Sequence, residues 1–315
     1  MPGEPTLSQI HVDSALTDFS LSYFQQADKY VAPNVFPTVN VAQRSNKYYT
    51  YTKADLLRSD ATKRAPGTES AVRSYKLSTD DYYCEVYSIA IDVSEQERAN
   101  ADPALDPEED AARVTTQDLM ILRDREWSVA AFTTGIWATE STATWNTSTG
   151  DVVGDIQTGI LSVLQETGFR PNTLVLGAEA WYSGLWSSTQ IIDRLPDNAP
   201  RIVTEGFISD LFGFDRVFIL EGVSVEAAEG TTGSPVFIHE DHALLMYVDP
   251  GAGLRDVTAG KTFNWSGLTG GGGGIRTKRI EIPHTDAMPR VETDTAFDFK
   301  VVATDLGYLI KHTVS

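Results

Sequence analysis

The side chains in this sequence that could do chemistry are few, and their spacing decides what they can do. Of five histidines, two stand close together, in His239-Glu240-Asp241-His242. A helical zinc-protease site places two histidines four apart with a glutamate after the first, so that both rings face one metal. Here the separation is three, and the motif lies between two apolar runs, 235–239 and 243–248, that read as the arms of a hairpin. A polar turn is the expectation. An acidic α/β enzyme using His239 or His242 is kept as a competing reading. His11, His284 and His312 have no carboxylate or cysteine pattern around them.

Other constellations fail on similar grounds. The run Gly270–Gly274 invites comparison with a phosphate-binding loop, but no Lys-Ser or Lys-Thr pair follows and no strand-to-helix junction is evident. Its flank, with Arg276, Lys278 and Arg279, leaves room for contact with an anion; a loop that adjusts to different neighbours is the stronger reading. No serine stands in a Gly-x-Ser-x-Gly elbow. The acids Asp106, Glu108, Glu109 and Asp110 are better explained by a helix start than by a cation. No catalytic residue, metal or cofactor is expected.

The elements that must carry these residues follow from composition and pattern. The chain has 315 residues, 41% hydrophobic, which is enough to build a sizeable core, and the length prior is about two domains. Lys and Arg number 25 against 44 Asp and Glu, for a formal charge of −19. Such acidity excludes a protein that reads DNA sequence and disfavours docking on an anionic membrane. The N-terminal sequence lacks the pattern of a secretory signal, and no apolar run approaches membrane-span length. The single cysteine, Cys84, fits a reducing compartment, so synthesis in a cytoplasm is expected.

Residues 1–40 read as an arm with thinly spread apolar residues, lying along something else. Residues 47–51 and 72–77 read as the strands of a long hairpin with a Pro66-Gly67 turn signal between them. Its tip is locally basic, with Lys53, Arg58, Lys63, Arg64 and Arg73, whereas residues 85–118 carry ten acids against Arg98 and Arg113. The two segments are electrostatic complements.

A strand is expected over 82–93, with Cys84 inside it. Asp106 as N-cap, Pro107 at the first helical position and Glu109 behind them start a helix that can run to about residue 133. Its apolar stripes are Leu119, Leu122 and Val129, and Val114, Ile121 and Phe132. A Ser/Thr-rich linker, 139–149, leads to an alternation of helices and strands that reads as an α/β unit with a mixed sheet. From Lys261 the pattern is mostly β: 275–282, 290–304 and 307–312. The fold class is α+β, with one unit inserted into another.

The order of these features is similar to that of the tailed-phage major capsid proteins of the Hong Kong 97-like fold. It runs from Asn34-Val35-Phe36-Pro37 to a hairpin with Lys47-Tyr48-Tyr49 and Arg64-Ala65-Pro66-Gly67-Thr68-Glu69. The strand around Tyr83-Cys84-Glu85-Val86-Tyr87 comes next, then Arg98-Ala99-Asn100-Ala101-Asp102 and the long helix ending Phe132-Thr133-Thr134-Gly135-Ile136-Trp137. Gly307-Tyr308-Leu309-Ile310 closes it.

The resemblance implies an N-arm (1–40), an extended loop (41–80) and a peripheral domain with a spine helix (81–150). An axial domain (151–255) and C-terminal strands completing the peripheral domain (256–315) follow, with the packing of the last strand left open. It further implies pentamers and hexamers on an icosahedral shell around double-stranded DNA, located in the virion. A separate scaffolding protein, a portal and decoration proteins are the expected partners. Lys53 and Lys63 lie in the extended loop, but no matching acid and asparagine motif for cross-linking is found.

The expected contact has Arg58, Lys63 and Arg64 of one copy over a neighbour's acids Glu95, Glu97, Asp102, Glu108 and Glu109. An encapsulin-like compartment, which shares the fold and packages protein, is the nearest alternative. The acidity also takes on a different sense here, since a like-charged wall holds packaged DNA without adhering to it.

Overall fold

The computed structural model describes residues 29–51, 57, 59–72, 77–94, 96, 106–147, 149–195, 202–225, 233–239, 241–269, 274–281 and 289–314. A short helix, α1 (Ala32–Val35), and strand β1 (Thr38–Val41) lead into the paired strands β2 (Ser45–Tyr51) and β3 (Leu77–Tyr83). Next come β4 (Glu85–Asp92), the long helix α2 (Pro107–Phe132) and β5 (Thr139–Thr142). The middle of the chain forms α3 (Val152–Thr167), β6 (Thr173–Gly177), a π-helical turn (Ala180–Leu185), α4 (Thr189–Ile192), α5 (Glu205–Phe212) and β7 (Arg216–Leu220). β8 (Val223–Val225), β9 (Pro235–Phe237) and β10 (Ala243–Met246) follow. The last part holds β11 (Gly260–Trp265), α6 (Ser266–Thr269), β12 (Ile275–Glu281), β13 (Pro289–Val301) and β14 (Gly307–Lys311).

Helix α2 starts as its sequence requires. The Asp106 carboxylate accepts the Glu108 amide at 3.0 Å, and Glu108, Glu109 and Asp110 face the positive end of the helix dipole. Its 26 residues span about 39 Å at ~1.5 Å per residue. The buried residues are Ala111, Thr115, Leu119, Arg123, Asp124, Trp127, Ala131 and Phe132; of the stripes read from large apolar residues, Leu119 and Phe132 are buried, whereas Val114 and Val129 face outward, Val129 at 63% exposure. Small side chains let the helix lie close over the strands beneath it, and Thr115 shares a 2.8 Å hydroxyl contact with Thr293 of β13.

Two five-stranded sheets carry the molecule. In the first, β1 runs parallel to β11, and β13 pairs antiparallel with β11, β12 and β4. In the second the order is β5-β14-β10-β6-β7, with β5 parallel to β14 and β6 parallel to β7. Every residue of β6 and β10 is buried, as expected for strands covered on both faces. Leu174, Leu176, Ala243 and Leu245 face a cluster with α3 and α5, whereas Val175, Leu244 and Met246 face a second cluster. That second cluster also contains Phe36, Trp127, Phe132, Phe297 and Phe299, so one apolar core joins α2 to both sheets.

Several expectations are corrected. The 139–149 linker contains strand β5. Residues 235–239 and 243–248 do not pair with each other: β9 pairs with β8, and β10 enters the second sheet between β14 and β6. The last strand, β14, whose packing the sequence leaves open, belongs to that second sheet. The partner of β2 is 77–83, not 72–77, and the long strand expected through Cys84 is interrupted there, where its amide donates to the Arg44 carbonyl at 2.9 Å. The end of the arm is part of the core: Phe36 is buried against Trp127 with ring centroids 5.6 Å apart. Of the arm, residues 1–28 lie outside the described residues.

Candidate inter-subunit surfaces

The hairpin of β2 and β3 is fastened at its root. Tyr82 stacks on Phe263 of β11 at 4.4 Å and 12°, and Tyr48 packs on the same ring at 5.4 Å. The Tyr48 hydroxyl donates to Asp80 across the hairpin at 2.9 Å; burial, then the Asp80 hydrogen bond and charge, push its pKa up. Arg44 donates from Nε to the Cys84 carbonyl at 3.1 Å and lies over the Tyr83 ring. The Tyr83 amide donates to Asp298 of β13 at 2.9 Å, and burial raises that carboxyl above its usual range. Cys84 is buried, and the same burial, aided by Asp298, pushes its thiol up to about 12. It is an inert packing residue.

Beyond the root the hairpin is uncovered. Every residue from 59 to 72 is exposed, Val72 at 96%, and Leu57 is exposed as well. A turn at Ala65–Thr68 has Gly67 at φ +84°, a conformation that favours glycine. Its other bonds run from the Thr68 hydroxyl to the Ala65 carbonyl at 2.8 Å and from Arg64 to Thr68 and Ser70. A two-stranded ribbon with apolar residues in water is marginal alone, so this tip calls for a surface to rest on.

The residues expected to make the contact are placed as follows. Lys63 and Arg64 lie on the exposed tip; Arg58, Glu95, Glu97 and Asp102 lie outside the described residues. Glu108 and Glu109 open α2, but each already faces a cation of its own chain, Arg279 at 3.4 Å and Arg113 at 2.7 Å. The acidic stretch is further answered by Arg290, which grips Asp92 through two bonds of 2.6 and 2.9 Å. The basic flank of the glycine run is likewise committed: Arg276 bonds Asp294, and Lys278 bonds Glu292 and Asp294. The anion contact considered for that flank therefore loses its free cations; residues 270–273 lie outside the described ones.

The histidine motif is not a turn on the surface. His239 is fully buried, edge-on to Trp127 and Phe132, with Nε2 3.5 Å from Asp124 of α2. His242 stands beside Phe132 and His312, with Nδ1 2.7 Å from Asp241. Among the described residues no group of three or more His, Cys, Asp or Glu is arranged to hold a metal ion, and no helix is long and apolar enough to cross a membrane.

An open pocket of about 300 Å³ lies beside the hairpin root, lined by Thr50, Leu57, Phe169, Leu254 and Val257 among others. The Lys261 ammonium closes its floor by donating to the Gly253 and Leu254 carbonyls at 2.7 and 3.0 Å, and burial lowers its pKa. With two of its three N–H groups on these backbone carbonyls, it holds a loop in place.

No family model matches the sequence. The chain is 23% identical over 310 residues, 95% of both chains, to the major capsid protein of Burkholderia phage BcepMu. A crystal structure of a phage-related protein from Bordetella bronchiseptica matches 96% of this chain and 97% of its own, with a TM-score of 0.68 and 17% identity. The mature capsid of bacteriophage PhiM1 matches at TM-score 0.55 and 13% identity, over 88% of this chain and 84% of its own. An encapsulin complex from Synechococcus elongatus matches at 0.52 and 11%, over 96% and 95%.

Proposed function

We propose that this chain, which has the Hong Kong 97-like fold and is related along nearly its whole length to a phage major capsid protein, is itself a major capsid protein that assembles into an icosahedral phage head. The observation that carries this is the end-to-end correspondence with the BcepMu protein. A shared domain within a larger enzyme would match only in part. The role is structural: the chain's chemistry is contact between copies.

In this reading the sheet of β1, β4, β11, β12 and β13 with α2 is the peripheral unit, and the sheet of β5, β14, β10, β6 and β7 is the axial unit. The β2–β3 hairpin is the extended loop. Its exposed tip, with Arg58, Lys63 and Arg64, rests on a neighbour's acidic stretch at Glu95, Glu97, Asp102, Glu108 and Glu109. Each exposed pair contributes at most ~1 kcal/mol, so repetition around a closed shell supplies the stability. A scaffolding protein, a portal and decoration proteins are proposed partners. The charge of −19 suits a wall that encloses double-stranded DNA without binding its sequence.

Electron microscopy of the purified protein tests the proposal: closed shells or capsomers are expected, and a monomer at every concentration and salt would overturn it. The encapsulin reading is kept because an encapsulin shares the fold. Shells recovered from infected cells should contain DNA; shells loaded with a protein cargo and free of nucleic acid would decide for the compartment.

A further inference from the structure

The pocket beside the hairpin root draws its walls from distant parts of the chain. Thr50 and Leu57 come from the hairpin, Phe169 from the segment after α3, Leu254 and Val257 from the loop before β11, and Leu306 from the turn before β14. Four of these are large apolar side chains left in water: Leu57 is 57% exposed, Leu254 47%, and Phe169 and Val257 39% each. Apolar groups that converge on one concavity, with polar residues at its rim, mark a place where a ligand is taken up. The walls are already fixed. The Phe169 ring packs on Tyr247 with centroids 4.9 Å apart, and the Gly253 amide ties the loop by donating to Asp256 at 2.7 Å.

The floor supplies the chemistry. Lys261 is 1% exposed and lines the cavity. An ammonium has three N–H groups. Two of them donate to the Gly253 and Leu254 carbonyls, and among the described residues no third acceptor meets it. Arg255 and Asp305 also line the pocket but have interactions of their own, and Asp256 is turned to the Gly253 amide. Burial disfavours the Lys261 cation, and the Asp256 charge offsets this in part. A carboxylate answers both needs, since it takes the remaining N–H and pairs the charge in a bond roughly twice as strong as a neutral one. The volume of about 300 Å³ suits a small molecule and is too small for an element of a protein partner.

We propose that this pocket binds a small amphiphile, an unbranched apolar chain ending in a carboxylate, with its head on Nζ of Lys261 and its chain along Leu57, Phe169, Leu254 and Val257. Bound there, it bridges the hairpin to the loop before β11 and fixes the angle at which the hairpin leaves the body. This inference rests on the pocket of one chain and stands apart from the shell reading.

Isothermal titration of the purified full chain with decanoate, below its micelle concentration, tests the proposal. One saturable site per chain is expected. Decyltrimethylammonium, which has the same chain and a cationic head, should bind roughly tenfold or more weakly, as expected for loss of a charge-assisted bond. Val257→Trp fills the cavity and Lys261→Met removes the donor, and each should weaken decanoate by a similar factor. Should Lys261→Met fail to fold, Val257→Trp and the comparison of the two heads carry the decision. Equal affinity for both amphiphiles, a titration that never saturates, or decanoate binding unchanged by Val257→Trp overturns the proposal.

Discussion

Nε2 of His239 stands 3.5 Å from Oδ2 of Asp124 with both side chains fully buried, and this contact ties α2 to the segment that leads into β10. Trp127 and Phe132 enclose the imidazole edge-on, and any side chain at Gly222 would press on Asp124, since a methyl there would come within 2.9 Å of it. Asp124→Ala removes the carboxylate 3.5 Å from this ring and leaves a void. The expected loss is about 2–4 kcal/mol, from an unanswered buried polar group plus a cavity. Urea denaturation gives the value, and a midpoint equal to the parent's would show that the contact is idle.

Asp294 should make stability depend on acid. Burial raises its carboxyl, but hydrogen bonds from Arg276, Ser88 and Lys278 outweigh burial and hold it at about 2, against an ordinary 3.8. A depressed folded value means that the stabilisation is complete above the unfolded value and is lost as pH falls through the folded one. The shift is equivalent to about 2 kcal/mol. Asp294→Asn should therefore be less stable than the parent by about that much at pH 7 and equal to it near pH 2. A difference that persists unchanged across this range would assign the loss to packing.

Phe36 and Gly260 predict a rescue. A methyl group at Gly260 would lie 2.5 Å from the Phe36 ring, so Gly260→Ala must displace the ring. About 1–3 kcal/mol is the expected penalty for such overpacking. Adding Phe36→Leu should recover most of it, and calorimetry of the four proteins of this double-mutant cycle measures the coupling. Strict additivity would mean that the two sites do not press on each other.

These particulars show what the sequence made legible. Asp106 and Pro107 announce α2 because capping is a local matter, and the structure starts the helix there. The buried face of that helix was hidden, since Ala111, Thr115 and Arg123 carry no hydrophobic signal. Arg123 is buried with Phe297 beneath its guanidinium, a relation between distant residues. His239 looked like a polar turn for the same reason: Trp127 and Phe132, which make its site apolar, are remote in sequence. Strand β5, Thr139-Glu140-Ser141-Thr142, is polar and is held by pairing with β14 and by the 2.8 Å ion pair of Glu140 with Lys311. Of the contact candidates, the exposure of Lys63 and Arg64 agrees with a hairpin tip, whereas the internal partners of Glu108 and Glu109 had no sequence signal.

Reversing Lys63 and Arg64 to Glu should impair assembly of the shell, or make it more sensitive to salt, because both side chains project from the exposed tip. Circular dichroism melting of the unassembled subunit should be unchanged, since these residues support nothing in the core. Light scattering that reports normal assembly of the double reversal would remove the basic tip from the contact.

Strand β14 lies between β5 and β10, partners that the chain produces far earlier. A ribosome must therefore deliver everything up to residue 311 before the second sheet can close, and until then β5 and β10 present open edges. Such long-range pairing is slow to form and cannot proceed stepwise from the N-terminus. The nascent chain is thus kept from offering a finished second sheet until its late strand has arrived, a delay written into the order of the strands.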